Sequence, residues 1–184
     1  MVVGYLLFLA LTGAERIAEL LLSRHNARLA IRAGGTESGA SQFRWMALVH
    51  ALFLPVCAAE VLLLNRPFPG VLGWACICGA LCAQALRWWA ISALGRRWNV
   101  RVIVIPGDRP VRSGPYRFLR HPNYVAVTAE MLFIPLAHAA WISAAVFSVL
   151  NVLLLRARIR TEEQALGPSW QQEFASVPRF IPHG

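Results

Sequence analysis

The sequence predicts an all-α integral membrane protein with five transmembrane helices, and three observations lead to this fold class. Hydrophobic residues make up 57% of the 184 residues and charged residues only 15%. A soluble domain of this length cannot bury so much apolar surface, so the bilayer is the expected solvent. The apolar residues form five long runs, and the 18 basic residues, all of them arginine, concentrate in alternate connections between these runs.

The five apolar runs cover residues 2–22, 45–64, 71–94, 124–136 and 139–155. A spanning helix needs about 20 residues. The fourth run is shorter, so we expect it to extend into residues 136–139 or to pair with the fifth run as a helical hairpin. Between the runs, residues 31–39 are typical of a flexible turn and residues 100–105 of a brief strand. A short helix is expected around residues 169–175, followed by an extended tail over residues 177–182.

The arginines indicate how the helices are oriented. They follow the first, third and fifth runs, whereas the other two connections contain only Arg66. By the positive-inside bias, we expect the N-terminus outside and the C-terminus in the cytosol. The net charge of +9 raises the question of nucleic acid, but that function needs a soluble basic face. Arginines between apolar runs fit an anionic membrane surface instead, so no nucleic-acid partner is expected.

The segment Gly-Pro-Tyr-Arg-Phe-Leu-Arg-His-Pro-Asn-Tyr at residues 114–124 is the strongest candidate for a functional site. Pro122 fits the first position of the fourth helix, and it biases His121 away from helical geometry. Helix N-termini attract anionic groups, and Arg117 and Arg120 add full positive charge there. The segment therefore predicts a site for a polar ligand at the cytosolic mouth of the bundle.

A second polar cluster follows the fifth run, at residues 156–166. On a continuous helix, Arg158 and Glu162 lie four residues apart on one face, and Arg160 and Glu163 lie three apart. This spacing fits a solvated helix end with weak ion pairs. It also fits arginines that hold a carboxylate and glutamates that hold an amine or a ribose, and the segment alone does not decide between these interpretations.

Two glutamates lie in or near apolar runs, where ionisable side chains are costly and face the bundle interior. Glu130 follows Tyr124 by slightly less than two helical turns, so it can point into the same cavity and receive a substrate head group. A structural glutamate that ties helices together is the alternative for Glu130, and the same question applies to Glu60. Near the end of the first run, we expect Arg16 and Glu19 to form an ion pair.

Taken together, these motifs resemble the isoprenylcysteine carboxyl methyltransferase family over about residues 100–182. The matching features are the 114–124 segment, a helical hairpin, the Arg158-x-x-x-Glu162-Glu163 pattern and a tail of small, aromatic and proline residues. Members of that family are integral membrane enzymes that use S-adenosylmethionine in a pocket facing the cytosol. The resemblance implies the same activity and cofactor for this chain.

The resemblance also implies roles for individual residues. Tyr116, Arg117, His121, Pro122 and Tyr124 are expected to bind the cofactor, together with Glu162 or Glu163. The sequence leaves open which of these two glutamates faces the pocket. Arg120 and Arg158 are expected near the reacting groups, with Glu130 added from its place in the fourth run. No metal is expected. A carboxylate or an acidic enol hydroxyl is already ionised near neutral pH, so methyl transfer can rely on positioning and fixed charge and needs no strong general base. His121 is therefore expected to orient the cofactor.

The methyl acceptor is expected to be a lipophilic small molecule that enters from the membrane lipid. Residues 1–99 form the three-span part on the substrate side, and residues 100–184 form the catalytic part of one membrane domain. The first half is similar to bacterial members encoded beside type III polyketide synthases, which favours an alkylpyrone or alkylresorcinol over an isoprenylcysteine carboxylate and implies functional coupling to such a synthase. The alternatives are a phospholipid N-methyltransferase, an NADPH-dependent reductase of the sterol-reductase type and a membrane scaffold without activity.

Overall fold

The computed structural model describes residues 1–180 and contains five long helices and a two-stranded sheet. The helices are α1 (Val2–Arg32), α2 (Ala40–Leu63), α3 (Val71–Leu94), α4 (Pro122–Leu136) and α5 (Trp141–Glu173). The strands are β1 (Thr36–Ser38) and β2 (Val102–Val104), and single 3-10 turns occupy Gly95–Arg97 and Gly114–Arg117. Ile181 and Pro182, at the end of the predicted extended tail, lie outside the described residues.

Within residues 1–180, three helices are long and apolar enough to cross a membrane. They are Ala40–Leu63, Val71–Arg97 and Trp141–Glu173. Helix α1 has the length, but Glu15, Arg16 and Glu19 lie near its middle, and α4 has only 15 residues. The helices establish an all-α membrane protein, while five spans and their orientation stay predictions.

Helix boundaries agree best where the sequence changes abruptly. Helix α3 has the predicted bounds, and α4 begins at Pro122, as its fixed φ favours. Helix α1 continues to Arg32, well beyond the predicted end of the first run. Residues 23–32 contain neither glycine nor proline and include good helix formers, so nothing ends the helix before Gly34.

The end of α5 contains the short helix that was predicted as a separate element. Gly167 interrupts α5 with φ 77° and ψ −176°, and the chain resumes helical geometry from Pro168 to Glu173. A positive φ suits glycine, and the following proline suits the first turn of a new helix. The kink turns this final segment back over the N-terminal end of α4, which places Trp170 beside His121, with 5.8 Å between ring centroids.

Strand β2 confirms the strand predicted within residues 100–105. Its partner β1 occupies Thr36–Ser38, where the prediction of a flexible turn was wrong. The two strands are antiparallel, with Glu37 opposite Ile103. Arg101 Nη1 lies 3.1 Å from Glu37 Oε2 and ties the pair at its surface. This pairing joins segments far apart in sequence, so no local pattern in residues 36–38 indicates it.

The apolar core lies at the opposite end of the bundle from the sheet. It is formed by side chains of all five helices, among them Tyr5, Phe53, Cys57, Cys76, Met131 and Phe147. Helices α4 and α5 form the predicted hairpin through a tight turn at residues 137–140. Helix α3 packs closely on α4 because Gly79 faces the Phe133 ring, where an added Cβ would approach to 2.8 Å.

Candidate active site

One large cavity connects the N-terminal end of α4 with the space between α1 and α2. Its volume is about 1270 Å³, larger than the range of about 300–1,000 Å³ that holds one small molecule. Its polar end is lined by Tyr116, Arg120, His121, Asn123, Tyr124, Arg158, Glu162 and Trp170. Its other end, which we call the apolar slot, is lined by Leu6, Leu9, Gly13, Leu54, Pro55 and Ala58.

His121 stands at the entrance to α4 because Pro122 begins the helix. Its backbone is non-helical, with φ −130° and ψ 58°. The imidazole is buried and stacks on Tyr124, with 5.3 Å between ring centroids and 20° between planes. The proline thus places His121 where the chain enters the helix, as the sequence predicts. The burial of its ring follows from the surrounding packing.

Arg158, Tyr124 and Glu162 form a hydrogen-bonded chain along the cavity wall. Tyr124 donates its hydroxyl proton to Glu162 Oε2, and Arg158 Nε donates to the Tyr124 oxygen at 3.2 Å. Arg158 Nη2 donates to the Val100 carbonyl at 2.8 Å. Within residues 1–180, Arg158 Nη1 and Glu162 Oε1 have no hydrogen-bond partner. The wall therefore offers a ligand one cationic donor and one anionic acceptor.

Glu163 faces away from the cavity and fixes His121 from the side opposite the cavity. His121 Nε2 lies 3.1 Å from Glu163 Oε1, and Arg179 donates to both oxygens of the same carboxylate at 3.1 and 2.6 Å. Because the carboxylate accepts, Nε2 of His121 bears a proton and donates to Glu163. Of the two adjacent glutamates, Glu162 lines the cavity and Glu163 orients His121.

Two arginines of the 114–124 segment have different surroundings from those that the sequence led us to expect. Arg120 lines the cavity, but its Nη2 donates to the Ala175 carbonyl at 3.3 Å and its backbone N–H to the Pro178 carbonyl at 2.9 Å. Arg120 therefore uses several of its N–H donors to hold the tail, residues 175–178, beside α4. Arg117 is exposed and does not line the cavity.

An aromatic wall closes the polar end. Tyr116 packs against Trp170 and Phe174, and these last two rings stack with centroids 4.8 Å apart. Burial, followed by the negative charge of Glu162, raises the pKa of Tyr116 well above its usual range, so the phenol stays protonated. Trp170 belongs to the tail pattern noted in the sequence, but only the kink at Gly167 brings it to the cavity.

Asn123 is a further cavity residue to which the sequence analysis gave no role. Its Oδ1 is buried without a hydrogen-bond partner in the described part of the chain. Buried polar atoms are nearly always satisfied, so an orphaned amide oxygen in a cavity wall fits a site for a hydrogen-bonding ligand. Its place inside the 114–124 motif was the available signal.

Glu130 does not line the cavity. Its Oε1 accepts a hydrogen bond from Arg16 Nη2 at 3.1 Å, and its Oε2 lies 4.0 Å from Arg87 Nη1. The two arginines therefore separate Glu130 from the cavity where a head group was expected to meet it. Arg16 also forms the predicted ion pair with Glu19, at 3.0 Å.

Comparison with known proteins agrees with this geometry. The family model for isoprenylcysteine carboxyl methyltransferases matches residues 75–168, half of the chain. The chain belongs to the isoprenylcysteine carboxyl methyltransferase family. The uncharacterized protein YpbQ of Bacillus subtilis (strain 168) is 38% identical over 161 residues, which cover 87% of this chain and 95% of that protein. An uncharacterized protein of Haemophilus influenzae is 26% identical over 156 residues, 83% of this chain and 89% of its own length.

Membership in the isoprenylcysteine carboxyl methyltransferase family indicates a membrane methyltransferase, and members of this family in general use S-adenosylmethionine. The polar end of the cavity fits that cofactor, since it provides an unpartnered carboxylate oxygen, an orphaned amide oxygen and an aromatic wall. The matched region contains His121, Tyr124, Arg158 and Glu162. Helices α1 and α2, which form the apolar slot, lie outside the match.

Proposed function

We propose that this protein is an S-adenosylmethionine-dependent O-methyltransferase that acts in the membrane on an acidic oxygen of a lipophilic acceptor. The supporting observation is the single cavity that joins a charged, aromatic end to an apolar slot. A charged cofactor and a lipid-like acceptor need these two environments side by side. We propose a long-chain alkylpyrone or alkylresorcinol as acceptor, ahead of an isoprenylcysteine carboxylate, and functional coupling to a type III polyketide synthase.

In this proposal the two parts of the chain have separate tasks. Residues 1–99 provide the apolar slot for the acceptor tail, and residues 100–184 provide the cofactor pocket. The arginine distribution supports five spans with the polar mouth in the cytosol of a bacterial inner membrane. A cytosolic mouth suits a cofactor that is made and used as a soluble metabolite.

When bound, the cofactor supplies an electrophilic methyl group on a sulfonium cation. Glu162 would hold the cofactor amine or ribose through Oε1, and the Trp170 face would suit a nearby cation. His121, fixed by Glu163, would present Nδ1 to the same ligand. Arg158 would direct Nη1 to the acceptor oxygen and favour its anionic form without titrating. The proton of a hydroxyl acceptor would leave to solvent through the cytosolic mouth before methyl transfer. The aromatic wall excludes water from the pocket.

An amine acceptor, as in phospholipid N-methylation, has less support. Such a reaction needs a free carboxylate or base beside the amine. Glu130 was the candidate for that task, but Arg16 holds its Oε1 and it does not line the cavity. Glu162 remains on the wall, but Tyr124 holds one of its oxygens. The geometry therefore favours an acidic oxygen as the methyl acceptor.

Binding of S-adenosylhomocysteine to the detergent-purified protein tests the cofactor assignment. We expect Glu162→Gln to weaken this binding by about 10-fold or more, because a hydrogen bond to a charged group contributes about 1.5–3 kcal/mol. Arg156→Ala is the matched control, since Arg156 is exposed on the same helix, and its affinity should stay within about two-fold of wild type. Calorimetry gives both affinities directly.

The same calorimetric experiment, repeated with NADPH, separates the alternatives. Binding of NADPH without S-adenosylhomocysteine would move the protein to the reductases. Binding of neither compound would leave the membrane scaffold as the better account. Equal affinity of wild type and Glu162→Gln for S-adenosylhomocysteine would remove Glu162 from the cofactor site.

Gly13 provides a test of the apolar slot. An added Cβ at this position would lie 3.7 Å from Leu54 Cδ1, an ordinary contact, so Gly13→Ala should be tolerated. Gly13→Phe should fill the slot and reduce kcat/KM for a long-chain acceptor by about 10-fold or more, since losing even one methylene contact changes specificity by about 10–200-fold. Methyl transfer from radiolabelled cofactor measures this effect. Unchanged turnover of the long-chain acceptor by Gly13→Phe would place its tail elsewhere.

A further inference from the structure

Arg158 is held by a loop that contacts the first helix. The loop joins α3 to β2 over residues 95–101, and its Val100 carbonyl accepts the hydrogen bond from Arg158 Nη2 at 2.8 Å. Ser23 and Asn26 lie three residues apart on one face of α1, and each is 2% exposed. Both side chains hydrogen-bond to this loop, so α1 reaches the segment that holds Arg158.

The Ser23 hydroxyl makes two hydrogen bonds to the loop beside Val100. Its Oγ accepts from the Val100 N–H at 3.0 Å and donates to Asn99 Oδ1 at 2.8 Å. Asn99 Oδ1 also accepts from the Arg101 N–H at 3.0 Å. That N–H belongs to the same peptide group as the Val100 carbonyl. A hydrogen-bonded chain therefore runs from Ser23 through Asn99 and this peptide group to Arg158, and we call it the loop chain.

The loop chain fixes the direction of the Val100 carbonyl. The N–H groups on both sides of the Val100 Cα are in use, one with Ser23 and one with Asn99. Arg158 Nη2 therefore meets an acceptor in a set direction, and hydrogen bonds within such a chain strengthen one another. Arg158 Nε is held separately by the Tyr124 hydroxyl at 3.2 Å. Two fixed acceptors in the plane of the guanidinium group determine where Nη1 lies on the cavity wall.

Asn26 holds the same loop at a different point. Its Nδ2 donates to the Trp98 carbonyl at 2.8 Å and to the Gly95 carbonyl at 3.3 Å. Gly95 turns the chain out of α3 with φ 53°, and Trp98 is 3% exposed, so these contacts anchor the loop to the bundle. Within the described residues, Arg158 donates to neither of these carbonyls. Asn26 therefore supports the loop as a whole, whereas Ser23 belongs to the chain that ends at Arg158.

We propose that Ser23 and Asn99 are positioning residues that orient Arg158 for methyl transfer to the acceptor oxygen. This inference rests on the proposed function, in which Arg158 directs Nη1 to that oxygen. Ser23 lies outside residues 75–168, the part of the chain that matches the family model, whereas Asn99 and Arg158 lie within it. The three-span part therefore does more than provide the apolar slot, because α1 also sets the geometry of the catalytic part.

Replacement of Ser23 by alanine removes both hydrogen bonds of the hydroxyl. We expect kcat for radiolabelled methyl transfer to 5-pentadecylresorcinol to fall by about 10–100-fold, because a misplacement of about 1 Å can cost about 10²-fold. The KM for this acceptor and the calorimetric affinity for S-adenosylhomocysteine should stay within about two-fold of wild type, since the loss falls on the transition state. Asn26→Ala is the matched control, because it also removes two hydrogen bonds from the loop, and its kcat should stay within about two-fold of wild type.

Two variants of Asn99 separate the hydrogen bonds from the side chain's volume. Asn99→Asp keeps an oxygen that accepts from Ser23 and from the Arg101 N–H, so it should retain most of the wild-type kcat. Asn99→Leu has a similar volume but no acceptor, and it should lose as much activity as Ser23→Ala. Equal activity of the two Asn99 variants would overturn the inference, as would a kcat for Asn26→Ala as low as that for Ser23→Ala.

A double-mutant cycle shows whether Ser23 acts through Arg158. In a protein that already contains Arg158→Ala, adding Ser23→Ala should change kcat by less than about two-fold, because members of one hydrogen-bonded network are not additive. Losses that multiply in the double variant would mean that Ser23 acts independently of Arg158, and would overturn the inference while leaving the proposed function intact.

Chemical labelling of Arg158 gives a measurement that needs no acceptor. Phenylglyoxal modifies accessible arginines, and mass spectrometry locates the modified residues. Ser23→Ala should raise the labelling rate of Arg158 by about three-fold or more, because loss of a local contact raises the population of open states, while exposed Arg160 should react as in wild type. Unchanged labelling of Arg158 would overturn the inference. If wild type binds S-adenosylhomocysteine but does not methylate 5-pentadecylresorcinol, the phenolic acceptor of the proposed function is rejected and the labelling result alone decides the inference.

Discussion

Replacement of Arg158 by alanine is expected to reduce kcat/KM for methyl transfer by about 10²–10³-fold, the usual effect of removing one preorganised donor to a reacting oxygen. Arg158 is 5% exposed, and its position is set by hydrogen bonds to Tyr124 and to the Val100 carbonyl. These bonds leave Nη1 as a fixed cationic donor on the cavity wall. Radiolabelled methyl transfer to the acceptor measures the effect.

Two further variants separate charge from geometry at this position. Arg158→Lys should recover only part of the activity, because an ammonium group cannot donate to Tyr124, Val100 and a ligand in the same plane. Arg160→Ala is the control, since Arg160 is exposed two residues along the same helix. If Arg158→Ala instead weakened S-adenosylhomocysteine binding and left acceptor turnover intact at saturating cofactor, Arg158 would bind the cofactor and not the acceptor.

The features that the sequence predicted well depend on local geometry. Pro122 begins α4 because its fixed φ suits the first helical position, and this places His121 at the entrance. Arg158 and Glu162 lie on one face of α5 because a helix repeats every 3.6 residues. Such features need no information about the other helices.

The features that the sequence did not predict depend on which helices pack together. The same α5 spacing could not decide between Glu162 and Glu163, because their roles depend on where the tail and Arg179 lie. The pairing of β1 with β2 is likewise non-local. Arg87 had a clear signal, a single arginine inside an apolar run, but its partner Glu19 and its place on the cavity wall follow only from the packing of α3 beside α1.

Glu130 lies on the side of α4 that the sequence predicted, but the groups that it contacts differ from those expected. Its spacing from Tyr124 places it on the interior side of α4, and it is 7% exposed. This position predicts that Glu130 meets the substrate. In the structure, Arg16 and Arg87 stand between Glu130 and the cavity. The Glu130 carboxylate holds Arg16 and Arg87, which line the cavity. Glu130 can therefore affect an acceptor only through these two arginines.

Replacement of Glu60 by alanine is expected to lower the free energy of unfolding by about 2–5 kcal/mol, since each buried donor left unsatisfied costs about 1–3 kcal/mol. Glu60 is 7% exposed and joins the end of α2 to the start of α5. Its carboxylate accepts from the backbone N–H groups of Ile142 and Ser143 at 3.1 and 2.7 Å and from the Ser143 hydroxyl at 2.7 Å. Arg66 completes the cluster, 2.9 Å away.

The matched variant Glu60→Gln shows whether charge or hydrogen bonding is decisive. Glutamine keeps the volume and one carbonyl acceptor, so it should lose about half as much stability as alanine, mainly through the weaker bond to Arg66 and to the N-terminal end of α5. Thermal unfolding in detergent, followed by tryptophan fluorescence, measures both variants. Because Glu60 does not line the cavity, S-adenosylhomocysteine affinity below the unfolding temperature should not change. A Glu60→Ala protein as stable as wild type would show that water satisfies the backbone N–H groups at the start of α5 equally well.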